Sequence, residues 1–183
     1  MEPRFGRVLT AMISPFAGDG SLDVDGAVTL ARWLEEQGND GLVLAGTTGE
    51  SPTLTQDEQV EMISAVVEAV GIPVIAGAGS NDTRSAVHNA ERCAEVGAAG
   101  ILDVTPYYNR PSQAGLIEHF RITASATDLP VMLYDIPPRS GRKIETDTIL
   151  RLADEVDNIV AVKDAAGDVA ETARLVAAAP DGF

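Results

Sequence analysis

Six short apolar runs, most of them rich in β-branched residues, recur along the chain, and they constrain its fold more than any other feature. Their starts lie about 30 residues apart, the size of one strand followed by one helix. Several runs are apolar throughout, as expected of parallel strands that are covered on both faces. The runs are residues 8–13, 42–45, 74–76, 100–104, 131–134 and 159–163.

Between these runs, apolar residues recur at helical spacing, so each interval predicts a helix. The predicted helices cover residues 24–37, 55–70, 83–96, 112–126, 145–153 and 169–179. Thr55 and Glu58 have the spacing of a capping box, which marks the start of the second helix. Gly38, Gly71 and Gly97 stand where the C-terminal caps of three helices are expected. Alternating strand–helix units predict a parallel sheet with helices packed against it.

Strict alternation leaves two architectures, a doubly wound open sheet and a (β/α)8 TIM barrel. The first predicted strand is not followed by G-x-G-x-x-G, so a dinucleotide-binding fold is not supported. Segments rich in polar residues, glycine and proline follow the second, fourth and fifth strands, as in barrels whose functional residues lie at strand ends. We therefore expect a TIM barrel of the α/β class.

The length of the chain limits how much of a barrel it can form. A complete barrel takes about 250 residues, whereas this chain has 183. We expect residues 1–183 to form a single, partial TIM-barrel domain that is truncated after about six β/α units. On this interpretation strands 7 and 8 are missing.

Composition excludes several classes of partner. The chain carries 13 basic and 28 acidic residues, a net charge of −15, which disfavours nucleic acid and anionic membrane surfaces. It has no apolar run of the roughly 18 residues that a membrane helix needs, and no signal-peptide pattern. Cys93 is the only cysteine, so no internal disulfide forms and a cytoplasmic location is expected. No cluster has metal-ligand spacing, so we expect no metal.

The two lysines deserve separate interpretation, because the other eleven basic residues are arginines. Lys163 ends an apolar strand, where burial lowers the pKa of an amine and a neutral amine forms Schiff bases with carbonyls. The alternative is a structural ion pair, for example with Asp164, and spacing alone does not decide between them. Lys143 lies in the turn S-G-R-K and is predicted to be a solvated surface charge.

Three loops after predicted strands carry groups suited to small polar ligands. In the first, the exposed amides and hydroxyls of a glycine-rich turn are able to bind a carboxylate, although an ordinary β/α turn has the same composition. The second and third are rich in proline and contain tyrosine and arginine. The loops are G-T-T-G-E-S at 46–51, T-P-Y-Y-N-R-P at 105–111 and Y-D-I-P-P-R-S-G at 134–141.

All three tyrosines of the chain, Tyr107, Tyr108 and Tyr134, fall in the last two loops. A phenol that is held by hydrogen bonds relays protons, and the planar guanidinium of Arg139 suits a carboxylate. For a single tyrosine at a strand end, packing at the barrel rim is the competing interpretation.

Other reactive side chains have structural interpretations. His88 and His119 are lone histidines on helices, and His88 shares a face with charged residues, which predicts solvation. Cys93 and Trp33 are expected to pack in the core.

The four segments GTTGES, TPYYNRPSQ, LYDIPPRSG and AVKDAAGD, in that order, resemble the dihydrodipicolinate synthase family of pyruvate-dependent Schiff-base aldolases. The resemblance covers essentially the whole chain. It implies that Lys163 forms a Schiff base with the substrate pyruvate, without any added cofactor. It also implies that Tyr134 is the general acid/base and that Thr47 and Tyr108 complete a proton relay.

The resemblance implies binding roles and partners as well. Thr47 and Thr48 would hold the pyruvate carboxylate, and Arg139 the carboxylate of the second substrate, L-aspartate 4-semialdehyde. Tyr107 and Asn81 would lie in the region of a dimer interface where some members bind lysine. The complete protein is expected to be a homo-oligomer, a dimer of dimers, with all eight barrel units and a further C-terminal helical segment.

Two alternatives stay open beside this resemblance. Relatives that share the lysine and the tyrosine act on other aldehydes, as N-acetylneuraminate lyase and keto-deoxy-sugar aldolases do. Arg139 and the double threonine favour the synthase. The other alternative is an inactive truncated fragment. At the lysine-binding region, Gln56, Gln59 and Ser85 replace the groups that usually hold the effector, which predicts weak sensitivity to lysine.

Overall fold

The computed structural model describes residues 4–183, which contain six strands, seven α-helices and one short 3₁₀-helix at Ser51–Thr53. The strands are β1 Leu9–Ala11, β2 Gly41–Leu44, β3 Val74–Gly77, β4 Gly100–Val104, β5 Val131–Asp135 and β6 Ile159–Asp164. The helices are α1 Val24–Glu36, α2 Gln56–Ala69, α3 Thr83–Glu95, α4 Gln113–Ser125, α5 Pro137–Ser140, α6 Thr146–Glu155 and α7 Val169–Ala178.

The described residues group into two compact units. The first ends at Gly77 and also contains Arg92–Ile101. In it, β1, β2 and β3 pair in parallel, with Thr10 opposite Leu42. The start of β4 joins them, since the amide of Ala99 donates to the carbonyl of Val74 at 2.9 Å.

The second unit contains Ala78–Glu91 and Leu102–Phe183. Here the amide of Thr105, directly after β4, donates to the carbonyl of Tyr134 at 3.0 Å, and β5 pairs in parallel with β6. The strand order in the sheet is the chain order, β1 to β6. This is the order of consecutive strands in a (β/α)8 barrel, so the predicted architecture of about six β/α units is confirmed.

The helices begin and end largely where the sequence predicts. The amide of Thr55 donates to Glu58 Oε2 at 2.7 Å and the amide of Glu58 donates to Thr55 Oγ1 at 3.2 Å, which confirms the capping box of α2. Gly38 and Gly97 have the positive φ of left-handed caps. Helix α2 instead ends at Val70 in an extended conformation, so the cap predicted at Gly71 is wrong.

The core of the first unit combines fully buried strand residues with one stripe of α2. Strand β2 is buried over its whole length, and Met62, Ile63 and Val66 turn towards the core. Cys93 is 2% exposed, as predicted. The prediction that Trp33 packs in the core is wrong, because it is 54% exposed. Its neighbour Leu34 is buried, and successive helical residues point about 100° apart.

The main element that the sequence does not predict is α5. It is four residues long and begins with two prolines, which suit the first turn of a helix because their missing amides have no helical partner there. Gly141 caps it with φ 72°, and its amide donates to the carbonyl of Pro137 at 2.8 Å. None of the helices in residues 4–183 combines the length and apolar composition that a membrane crossing requires.

Candidate active site

Tyr134 and Lys163 lie opposite each other in the pairing of β5 with β6. Partners in neighbouring parallel strands project from the same face of a sheet, and here the Nζ atom of Lys163 lies 4.3 Å from the centroid of the Tyr134 ring. The tyrosine is 4% exposed and the lysine is half-buried. The structure therefore brings together an amine and a phenol, the two groups that the sequence singles out at these strand ends.

Asp164 does not take the part of an ion-pair partner for Lys163. The two residues are consecutive in an extended strand, so their side chains project from opposite faces. The carboxylate of Asp164 instead accepts hydrogen bonds from the hydroxyl of Thr172 and the amide of Ala166. Burial opposes its ionisation, but these bonds and the charge of Lys143 outweigh burial, and the pKa of Asp164 is lowered.

Lys143 is not the solvated surface charge that the sequence predicts. Its side chain is 34% exposed, and Nζ lies 3.2 Å from Oδ2 of Asp135, which is 1% exposed. The amide of Ile144 donates to the other carboxylate oxygen at 3.0 Å. The turn that follows α5 thus folds back on the end of β5. Burial raises the pKa of Asp135, although the Ile144 amide and Lys143 oppose that rise.

The loop after β4 carries Tyr107 and Tyr108, and the backbone of Tyr108 is strained. Tyr108 has φ 71°, a left-handed value that is unusual for a bulky side chain, and it is 91% exposed. Tyr107 is half-buried. The side-chain amide of Asn109 donates to the carbonyl of Asn81 at 3.0 Å and ties this loop to the one before α3. With so much of its ring exposed, Tyr108 does not pack against the buried Tyr134 within this chain.

Arg139 lies near the end of α5 and is exposed. It lines a groove of about 450 Å³ together with Tyr107, Tyr108, Arg110, Pro138, Ser140 and Gly141. Two guanidinium groups at one groove favour a ligand with a carboxylate. The main chain of the second residue, Arg110, is held in place, since Arg142 Nη2 donates to its backbone carbonyl at 3.2 Å.

Thr47 and Thr48 belong to the first unit, in the turn that follows β2. Thr47 is half-buried and Thr48 is exposed. The turn is fixed from within, because Ser14 donates its hydroxyl to the carbonyl of Gly49 at 2.7 Å. A side chain at Gly49 would be tightly confined, since an added Cβ would lie 3.1 Å from the carbonyl oxygen of Met12.

The sequence does not predict one buried polar pair, Asp103 with His119. Asp103, in β4, is fully buried, and its Oδ1 lies 3.7 Å from Nε2 of His119. The Nδ1 atom of the same ring lies 2.9 Å from the hydroxyl of Thr83. Burial raises the pKa of Asp103, although His119 and Thr123 oppose the rise. The sequence signal that could reveal this pair is the acidic residue inside the apolar run G-I-L-D-V.

Within residues 4–183, no three side chains of His, Cys, Asp or Glu come together in a way that could hold a metal ion. The chemistry available at the end of β5 and β6 is that of an amine beside a phenol, with guanidinium groups on the loops that follow β4 and β5.

Known proteins resemble this chain over almost its whole length. The family model of the dihydrodipicolinate synthetase family matches residues 4–183. A protein of Acidothermus cellulolyticus named 4-hydroxy-tetrahydrodipicolinate synthase is 57% identical over 175 residues, which cover 94% of this chain and 56% of that protein. A Cutibacterium acnes protein of the same name is 57% identical over 178 residues, 96% of this chain and 60% of its own length.

Solved structures give the same result. The dihydrodipicolinate synthase of Cyanidioschyzon merolae, crystallised with lysine bound, superposes with a TM-score of 0.97 at 44% identity. The match covers 100% of this chain and 63% of that one. The chain thus spans about three fifths of the length of the relatives that it matches. On the strength of the family model and of these identities, the chain belongs to the dihydrodipicolinate synthetase family.

Proposed function

We propose that this chain carries the catalytic residues of a 4-hydroxy-tetrahydrodipicolinate synthase, which condenses pyruvate with L-aspartate 4-semialdehyde. The observation that carries the proposal is the contact between the Lys163 amine and the Tyr134 ring. It is supported by family membership and by the names of relatives with 57% identity.

The chemistry follows from the two groups. The Lys163 amine adds to the keto carbon of pyruvate, the resulting carbinolamine oxygen leaves as water, and an imine remains. The imine draws electrons from the adjacent methyl group, which loses a proton, and the enamine attacks the aldehyde carbon of the second substrate. The aldehyde oxygen takes up a proton and becomes a hydroxyl group. The amino group of the second substrate then replaces Lys163 on the imine carbon, which closes the product ring and frees the lysine. Tyr134, which is buried beside the amine, is the group that gives and takes these protons. No external cofactor is needed.

The remaining roles are assigned from the resemblance of the loops. Thr47 and Thr48 hold the pyruvate carboxylate, and Arg139 holds the carboxylate of L-aspartate 4-semialdehyde in its groove. Thr47 and Tyr108 extend the proton relay from Tyr134. The exposure of Tyr108 in one chain fits a homo-oligomer, a dimer of dimers, in which this residue serves the site of a partner subunit. We place the enzyme in the cytoplasm.

Trapping of the imine tests the proposal directly. The full-length protein is incubated with pyruvate and sodium cyanoborohydride, and the modified lysine is found by peptide mass spectrometry. We expect modification of Lys163 and none of Lys143, the second lysine of the chain. The variant Lys163→Arg should not be trapped. Trapping at Lys143, or modification without pyruvate, would contradict the assignment.

Arg139 separates the synthase from aldolases that act on sugar acids. Losing a charge-assisted hydrogen bond costs about 1.5–3 kcal/mol, so Arg139→Ala should lower kcat/KM for L-aspartate 4-semialdehyde by about 10- to 150-fold. Pyruvate trapping should hardly change. Arg151→Ala, on the exposed face of α6, is the matched control. Unchanged kinetics with the semialdehyde, or a preference of the wild-type protein for sugar acids, would favour a different aldolase.

Lysine is known as a ligand of the Cyanidioschyzon merolae relative from its crystal structure. Two of the side chains that the resemblance assigns to the effector region already have partners: Gln59 donates to the carbonyl of Ser51 at 2.8 Å, and Ser85 donates to Asp82 at 2.8 Å. Neither supplies an acidic group for the ammonium groups of a lysine ligand. We therefore expect weak inhibition of the full-length enzyme. Strong inhibition in a lysine titration at saturating pyruvate would show that other groups, Tyr107 and Asn81 among them, suffice.

A further inference from the structure

Two carboxylates, Asp135 and Asp164, follow Tyr134 and Lys163 directly in β5 and β6. Tyr134 pairs with Lys163, and the next residues along each strand, Asp135 and Asp164, pair in the same register. Side chains alternate across a strand, so both carboxylates project from the face opposite to the amine and the phenol. Like charges placed directly opposite each other repel and weaken strand pairing. The charge of Asp164 indeed adds to the rise in the pKa of Asp135.

Lys143 supplies the compensating charge. Its ammonium lies 3.2 Å from Asp135 and acts on both carboxylates, opposing the rise in the pKa of Asp135 and helping to lower that of Asp164. The other groups that face these carboxylates are the amides of Ile144 and Ala166 and the hydroxyl of Thr172. Lys143 is thus the cation in this cluster.

We propose that Lys143 is a positioning residue for the Lys163–Tyr134 pair, acting through Asp135. This inference rests on the proposed function, because it concerns the imine that Lys163 forms. Lys143 screens the repulsion between Asp135 and Asp164. It thereby stabilises the pairing of β5 with β6 next to the positions where the Lys163 amine meets the Tyr134 ring. A main-chain hydrogen bond also joins the ends of the two strands, since the amide of Ala165 donates to the carbonyl of Asp135 at 2.8 Å.

Four variants separate this role from general stabilisation. Lys143→Met removes the charge and keeps an apolar stem of similar length, whereas Lys143→Arg keeps the charge. Asp135→Asn removes one of the two repelling carboxylates, and the double variant Lys143→Met with Asp135→Asn removes the repulsion together with the cation. The measurement is the rate of cyanoborohydride trapping of pyruvate at Lys163 in the full-length protein, followed over pH.

At about pH 8 we expect Lys143→Met to trap pyruvate about tenfold more slowly than the wild type, the size of coupling found between residues in one charged network. The difference should shrink as the pH is lowered, because burial raises the pKa of Asp135, which takes up a proton more readily once Lys143 is gone, and the repulsion then ends. The double variant and Lys143→Arg should both stay within about threefold of the wild type over the whole pH range.

Two results would overturn the inference. The first is a Lys143→Met variant that traps pyruvate at the wild-type rate at about pH 8. The second is a loss of trapping rate in Lys143→Met that does not change with pH and is not restored in the double variant with Asp135→Asn. That result would indicate damage to the fold alone. A wild-type protein that shows no pyruvate-dependent trapping would overturn the proposed function itself, so the two failures are distinguishable.

Discussion

Asp103 is a carboxylate that the fold buries completely without giving it a close partner. It lies in β4, Nε2 of His119 is 3.7 Å from its Oδ1, and neither carboxylate oxygen has a hydrogen-bond partner within the described residues. Thr123 on α4 is the other group that favours its ionised form. Replacing Asp103 with asparagine keeps the shape of the side chain and removes its charge. We expect this change to stabilise the protein at neutral pH.

The sign follows from the direction of the pKa shift. Burial raises the pKa of Asp103 above its value of about 3.9 in an unfolded chain, so the folded protein holds a proton more tightly than the unfolded chain does. The contribution of Asp103 to stability is therefore complete below that unfolded value and is lost as the pH rises through the folded pKa. Within this window the loss is about 1.4 kcal/mol per pH unit.

Asparagine does not titrate, so the free energies of unfolding of the wild type and Asp103→Asn should be similar at low pH and diverge as the pH rises. At the plateau we expect Asp103→Asn to be more stable by about 1–3 kcal/mol, the cost of a buried polar group without a partner. Urea unfolding of the full-length protein at a series of pH values measures the difference.

Asp40 is the matched control, because the direction of its pKa shift is opposite. Its carboxylate accepts hydrogen bonds from the amides of Arg7 and Val8 at 2.7 and 2.8 Å, and they lower its pKa. Asp40→Asn should therefore be less stable than the wild type at neutral pH, and the difference should vanish as the pH falls. A stability difference for Asp103→Asn that does not change with pH, or that has the sign expected for Asp40, would refute the reasoning.

Two further predictions concern packing. Gly77→Ala should lower the free energy of unfolding by at least about 1–3 kcal/mol, because its Cβ would lie 2.1 Å from the carbonyl oxygen of Ala45. Gly18→Ala, whose Cβ would meet nothing within 4 Å, should leave urea unfolding nearly unchanged. Burial raises the pKa of Cys93 to about 12, so its thiol should react with a chromogenic disulfide reagent only after denaturant is added. Rapid reaction in the native protein would contradict this burial.

The strands were predictable because burial on both faces leaves a signal within a few consecutive residues. The run 100–104 and the strand Gly100–Val104 coincide, and the other five runs each contain or overlap a strand. Local composition is ambiguous at other positions. Two prolines in one segment predict a loop, yet Pro137–Ser140 forms one helical turn. The residue type of Trp33 predicts a core position, whereas its position on the helix decides its exposure.

The partners of charged residues were harder to predict, because they depend on how distant segments fold back. Lys143 stands in a polar turn, and nothing within that turn indicates that it reaches a buried carboxylate eight residues earlier in the chain. His119 is polar among apolar helix residues, but its contacts with Asp103 and Thr83 join three separate elements. The sequence could identify these residue types, and only the packing of the second unit determined their partners.

The pairing of Lys163 with Tyr134 depends on a single irregularity that no local pattern reveals. Val131 lies opposite Ile159, but the next pair is Met132 with Ala161, so one residue of β6, Val160, is left over. Regular pairing from Val131 would have placed Tyr134 opposite Val162, and a shift of one residue moves a side chain to the other face of a strand.

In that regular register Lys163 would lie opposite Asp135, an arrangement that favours an ion pair between the two. The extra residue instead places Lys163 beside Tyr134 and leaves Asp135 to Lys143. The same bulge therefore determines the environment of both lysines. It gives the strand-end amine a phenol as its neighbour, and it gives the buried carboxylate a cation from the turn that follows α5.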